Sequence, residues 1–155
     1  MRRTDREITD DLEKIKVLEE CKVCRIGMND NGNVYVVPLN FGYTYNNGKL
    51  VLYFHCAKEG QAIDVIKENN HVCVEMDCEH SLITADVPCK YGYTYASLIG
   101  NGTAKIVENT SEKIAALTIL MKHQTGNEFS FDQKMVGSVA VIKVDVADFS
   151  CKRKG

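Results

Sequence analysis

The 155-residue sequence is 45% hydrophobic and 26% charged, with a formal net charge of −2, the make-up of an ordinary globular chain large enough for one real core. So small a charge gives no case for nucleic acid as the main partner, and no run approaches the ~18 consecutive apolar residues that a membrane-spanning helix needs. Seven cysteines, an odd number without a secreted framework's spacing, fit reduced thiols; with the charged stretch from Arg2 to Glu7 in place of a signal core, the expectation is one cytoplasmic domain over residues 1–155.

Thr4 and Glu7 have capping-box spacing, and Ile8, Leu12, Ile15 and Leu18 recur at helical intervals, which predicts a helix over about residues 5–20. Cys21 to Met28 reads as a first strand, turned by Asn29-Asp30-Asn31-Gly32. Val34 to Tyr43 alternates, with Tyr35, Val37, Leu39 and Phe41 on one face and Val34, Val36, Pro38 and Asn40 on the other. Asn47-Gly48 supplies the positive φ angles of a tight hairpin, and Leu50 to His55 is the apolar return strand. Cys56 to Gly60 then leads into a helix over residues 61–69.

His71 to Asp77 alternates again, with Val72, Val74 and Met76 on one face, and Cys78 to Lys90 is expected to be a loop. Tyr91 to Glu108 reads as one long strand bent at Gly100 and Gly102. A helix capped over Asn109 to Glu112 buries Ile114, Leu117, Leu120 and Met121 and ends at Gly126. A loop over 127–137 precedes a last strand from Ser138 to Val146, and Lys152-Arg153-Lys154 is expected to be a solvated tail. Strands dominate and few connections could hold a crossover helix, so an antiparallel barrel with peripheral helices fits better than a doubly wound sheet.

The stretch Val34 to Gly60 organises the rest. A strand, a compact loop and a helix start present free backbone N–H groups and a positive dipole end to an anion. Its segments VYVVPLNFGY (Val34–Tyr43) and LYFHCAKEG (Leu52–Gly60), with YASLIGNGTAKIVE (Tyr95–Glu108), resemble the FMN-binding split barrels related to pyridoxamine 5'-phosphate oxidase, and among them the nitroimidazole-resistance type. The resemblance spans roughly Arg6 to Val146.

What the resemblance implies is a mainly β, antiparallel, Greek-key-like split barrel with peripheral helices and an FMN cofactor. Pro38, Leu39, Asn40 and Phe41 would run along the isoalloxazine ring, although the residues alone also read as an edge strand with a core leucine and phenylalanine. Cys56, Ala57, Lys58, Gly60 and Gln61 would meet the ribityl phosphate. Relatives often carry basic residues just after this glycine, where this chain has Gln61-Ala62, so Lys58 and Arg25 are the nearest replacements for that charge. Ser97 would be a further flavin contact. His55 would lie beside the flavin as the catalytic group, where an imidazole could protonate a nitro group under reduction or orient the substrate; its plain reading is a strand-end histidine bonded to backbone.

Tyr91, Tyr93 and Tyr95 alternate onto one face that suits cofactor wall, core or subunit interface; the resemblance implies a homodimer with flavin between the subunits. Cys21-x-x-Cys24 would need two more ligands for zinc, with Cys78, His80 and Cys89 available, but Cys24 in a strand reads as a small apolar residue and no metal is expected. His71 and His123 are expected at the surface. The expected function is an FMN-dependent reductase or oxidase acting on a small planar acceptor such as a nitroimidazole. The alternative is a flavin or haem carrier or sensor without turnover.

Overall fold

A computed structural model describes residues 3–155. The strands are β1 (Glu7–Ile8), β2 (Val23–Asp30), β3 (Asn33–Asn46), β4 (Lys49–Cys56), β5 (His71–Ile83), β6 (Gly92–Ile106) and β7 (Ala140–Lys154). The helices are α1 (Asp11–Glu20), α2 (Gln61–Glu68), α3 (Thr110–Thr125) and α4 (Gln133–Gly137). Pairing runs β1–β7–β4–β3–β2–β5–β6, all antiparallel, and β6 pairs with β7 again, so β2 to β7 close into a six-stranded barrel. This is the antiparallel barrel with peripheral helices that the sequence predicts.

The turns follow their residue chemistry. Asn31-Gly32 and Asn47-Gly48 both take positive φ, which lets β2–β3 and β3–β4 return tightly. β3 places Tyr35, Val37, Leu39 and Phe41 against the core while Val34, Val36, Pro38 and Asn40 face out. Cys24, Ile26, Phe41, Leu50, Leu52, Phe54, Val74, Met76, Leu98, Ile142 and Val144 fill the barrel. A barrel this narrow is packed with its own side chains, so a ring-sized ligand has to sit outside it.

Outside, α3 lies across β3 and β4. Gly42 lets it approach: a Cβ there would fall 2.4 Å from the Leu120 Cα. Gly102 does the same within the sheet, where a Cβ would meet the Asp145 carbonyl oxygen at 2.5 Å; the register shift between Asn101 and Gly102 is the predicted bend of β6. Among the described residues no helix is long and apolar enough to cross a membrane.

Four expectations need correction. The first helix begins at Asp11, not near residue 5, because Asp10 accepts from the Glu13 backbone N–H at 3.0 Å and provides the working cap. The residues before it are drawn elsewhere: Thr4–Arg6 make one 3₁₀ turn, and β1 pairs Glu7 with Lys152 and Ile8 with Cys151. The stretch expected as a loop after Cys78 is strand to Ile83, resumed after a bulge between Cys78 and Ser81, with Glu79 at φ 60°. The loop expected over 127–137 contains α4, capped by Asp132 onto the Met135 N–H at 2.8 Å. The last strand does not stop at Val146 but runs to Lys154, so the basic triplet is β-structure paired with β6, and Arg153 bonds Glu79 and Glu13.

Candidate functional site

β3 and β4 set out the site. Beyond the Phe41↔Phe54 pair the strands continue to Asn40 and His55, both exposed on the outer face. Asn40 is held by its amide, which donates to the Lys22 carbonyl at 3.0 Å and to Gln124 Oε1 at 3.2 Å. Gln124 in turn donates to the Lys22 and Phe41 carbonyls at 3.0 and 2.8 Å. That amide network fixes the end of α3 to the start of β2 and the middle of β3. His55 stands on the far side, where β4 pairs it with Val141 of β7.

Of the four residues expected along a flavin ring, only Pro38 and Asn40 present side chains outward. Leu39 packs on the core, and Phe41 is fully buried, 6.4 Å from the Phe54 ring. After β4 the chain leaves the barrel through half-buried Cys56 and exposed Ala57, Lys58 and Glu59. Gly60 takes φ 144° as the N-cap of α2 and offers no side chain to the helix start, so the first-turn N–H groups of α2 have no side-chain cap. Gln61 turns away and donates to Asp30 Oδ2 at 2.9 Å, tying α2 to the β2–β3 turn.

Positive charge at this end comes from Lys58 and from two lysines that carry no signal in the sequence. A cleft of about 270 Å³ beside the loop is lined by Lys58, Lys67 of α2 and Lys113 of α3, with Glu108 opposing them. Lys113 Nζ is directed by the Val139 carbonyl at 2.7 Å. Lysines spaced through a loop and two separate helices have no shared sequence pattern; only the fold gathers them.

Arg25 lies elsewhere on the outer face, in β2. Its Nη1 donates to Asp77 Oδ1 at 2.6 Å and Glu75 Oε2 at 3.1 Å, which raises its already high pKa, Asp77 contributing most. Register pairs Arg25 with Pro38 on one side and Glu75 on the other. Ser97 is buried in β6 between Asp77 and Lys152. Arg25, Pro38, Asn40 and Ser97 therefore share the β3–β2–β5–β6 surface, while His55 and Cys56 end β4 against β7 and lead into the loop to Gly60. Tyr91 and Tyr93 are exposed, and Tyr95 Oη accepts from Arg6 Nη1 at 3.4 Å, which with the nearby lysines lowers its pKa.

His71 is exposed as expected, but His123 is not: its side chain is only 4% exposed. Its ring packs on Phe41 and Tyr43 at 4.8 and 5.2 Å, and Nε2 meets the Cys21 carbonyl at 2.9 Å. The signal was the helical interval from Leu120, which carries α3's buried stripe one turn further than the sequence reading took it.

Comparison with known proteins places this geometry. The family model described as pyridoxamine 5'-phosphate oxidase matches residues 10–153. A protein of Bacteroides thetaiotaomicron provisionally assigned to 5-nitroimidazole antibiotic resistance is 33% identical, with 95% of this chain and 86% of that chain covered and a TM-score of 0.82. The flavocytochrome Anf3 of Azotobacter vinelandii is 18% identical over 100% of this chain and 72% of its own, with a TM-score of 0.80. An FAD- and haem-binding protein of Mycobacterium smegmatis is 15% identical over 96% and 73%, also at 0.80. These last two are similar in fold. No curated protein sequence matches the chain.

Proposed function

Because this chain belongs to the pyridoxamine 5'-phosphate oxidase family, we propose that it is an FMN-dependent oxidoreductase, a reductase or oxidase acting on a small planar acceptor such as a nitroimidazole or another nitroaromatic. What supports the reading is that β3 and β4 turn Pro38, Asn40 and His55 outward and that β4 leads through Cys56–Glu59 to the uncapped start of α2. The residues fit a flat phosphorylated group: Gly60 has no side chain to crowd it, the first-turn amides of α2 are uncapped, and Lys58 lines the adjoining basic cleft.

When bound, the flavin supplies hydride transfer at its N5 atom. Lys58 and the first-turn amides of α2 would hold its phosphate, and the backbone of Pro38 to Phe41 would line its ring. Asn40, fixed by Lys22 and Gln124, gives that wall a rigid polar group. His55 delivers a proton to the acceptor or orients it, and its exposed position keeps it within reach of solvent for reprotonation. The likeness to the Bacteroides protein supports a nitroaromatic acceptor. The active form in this reading is a cytoplasmic homodimer, with the β2–β3–β5–β6 surfaces of two copies closing over the flavins.

A visible absorption spectrum of the purified protein, with mass identification of the released chromophore, tests this directly. The expected result is FMN that bleaches with dithionite and recovers on addition of a nitroimidazole. Colourless protein that takes up no added FMN would overturn the reading. Bound flavin without steady-state reduction of any acceptor would leave a binding protein instead.

A further inference from the structure

His123 stands outside the flavin surface and has one buried atom that neither the fold nor the proposed chemistry uses. Its side chain is only 4% exposed, in the last turn of α3 against Phe41 and Tyr43. Nε2 meets the Cys21 carbonyl at 2.9 Å. A carbonyl only accepts, so Nε2 carries the imidazole proton and Nδ1 keeps a bare lone pair. Nδ1 is buried and has no hydrogen-bond partner among the described residues. Burial lowers the His123 pKa, so the ring does not resolve this by taking a second proton near neutral pH. Buried polar atoms in folded proteins are nearly always partnered, and this acceptor calls for a donor.

The polar group that faces it is of the wrong kind. Glu19 Oε2 stands 3.9 Å from Nδ1, beyond hydrogen-bond reach, and a carboxylate has no proton to give. Tyr43 Oη donates to the other oxygen of Glu19, and burial, with Glu19 next, raises the Tyr43 pKa and keeps it a donor. Nδ1 and Oε2 are therefore two acceptors turned toward one another. Both residues line a cavity of about 430 Å³, with Tyr43, Ile119, Lys122 and Gly126. That is far more than the roughly 30 Å³ share of one water. It has the make-up of a small-molecule site, apolar walls with a few polar groups gathered at one point. Lys122 turns its charge to Glu128, at 3.0 Å, and the carbonyl end of α3 favours a cation here.

We propose that this cavity binds a small protonated amine with an apolar body, its ammonium donating to His123 Nδ1 and Glu19 Oε2 and its body lying against Ile119 and the Tyr43 ring. An ammonium has the N–H donors to meet both acceptors at once, and Glu19 answers its charge. Glu19 is 61% exposed, so an entering amine need only shift a surface side chain to reach Nδ1. A metal ion is a poorer occupant, because one imidazole and one carboxylate fall short of the four ligands that hold zinc. An anion would meet Glu19 with like charge. Lys22 joins the cavity to the network that holds Asn40: its Nζ donates to the Glu19 and His123 carbonyls at 2.8 and 2.9 Å, and its carbonyl accepts from Asn40 and Gln124. No residue of the proposed flavin site lines the cavity itself, and the proposal stands apart from that reading.

The test is nitrogen NMR of the histidine rings in the full-length protein at about pH 8, where the amine is protonated and His123 is neutral. FMN is present in excess, so that the flavin surface is not offered to the probe, and His123→Gln assigns the resonance by its loss. Before any addition His123 should show a protonated Nε2 and an unprotonated Nδ1. Benzylamine should shift the Nδ1 resonance saturably, with a dissociation constant on the order of 1 mM for so small a probe. Glu19→Gln, at an exposed position, should weaken binding by about tenfold, since the charged acceptor is lost and the new amide can itself donate to Nδ1. Benzoate, of similar size and opposite charge, should leave Nδ1 unmoved. A protonated Nδ1 in the free protein, no saturable shift with benzylamine, an equal shift with benzoate, or benzylamine binding undiminished in Glu19→Gln would each overturn the proposal.

Discussion

Gly42 decides whether α3 can seat on the barrel. An added methyl would fall on the Leu120 backbone, which cannot swing aside as a side-chain tip would. Gly42→Ala should therefore cost about 2–3 kcal/mol by denaturant unfolding, near the top of the usual range for overpacking. His55 has the opposite profile, exposed and free of the core. His55→Ala should keep the flavin content and melting temperature while lowering acceptor turnover by about 10²-fold, the loss expected when a general acid is removed. An unchanged turnover would leave His55 a plain strand-end residue. For His123 the helical interval announces burial, but its aromatic partners Phe41 and Tyr43 lie in a strand far away in sequence and only the fold names them. Burial lowers its pKa from the ordinary histidine value, opposed by the Cys21 carbonyl and Glu19 and aided by Lys22. The unfolded chain takes that proton at about pH 6.5 while the folded one resists it, so this contribution is complete above that pH and declines as pH falls through and below it. Melting temperatures of wild type and His123→Gln between pH 8 and 5 should converge toward the acid end; parallel curves would refute the assignment.

At the scale of elements, the hairpins, α2, α3 and the bend of β6 are legible because each announces itself within a short window: Asn-Gly turns, period-two alternation, an Asn109 cap, paired glycines. The far half of β7 is not. Lys152-Arg153-Lys154 has the composition of a solvated tail, and only α1 and β5 supply the carboxylates that make it acceptable strand. The same blindness covers the β5 bulge, whose use depends on groups from α1 and β7. Arg153 is the joint among these three elements. Arg153→Met would leave Glu13 and Glu79 facing one another without their cation. Loss of the part-buried Arg153–Glu79 pair should cost about 1–2 kcal/mol after allowance for its partial exposure. Glu13 is held below the ordinary carboxylate value by Lys16 and next by Arg153, so the deficit should shrink as pH falls through and below about 4. A deficit independent of pH would mean that Arg153 acts through packing alone.

For the whole molecule, the filled barrel has a further consequence. A flat ligand on the outer surface is covered on one side only, and ligand sites ordinarily bury most of what they bind. In the proposed dimer the second wall comes from another copy of the chain, and the β2–β3–β5–β6 surface is suited to provide it: Val34, Val36 and Ile99 are 85%, 52% and 44% exposed there, beside Arg25 with its two carboxylates. In a two-fold dimer each substitution is met twice, so one charge placed in the apolar part brings two unpaired charges together. Val36→Asp and Ile99→Asp should each weaken self-association by about 10²–10³-fold, several kcal/mol of desolvation and repulsion, without touching the barrel core. Analytical ultracentrifugation of wild type should show a dimer at micromolar concentration and the variants a folded monomer. Flavin content decides whether the two surfaces are one: it should fall with the dimer in both variants, although neither residue belongs to the phosphate loop. A monomeric wild type that holds one flavin per chain would show that this surface needs no partner.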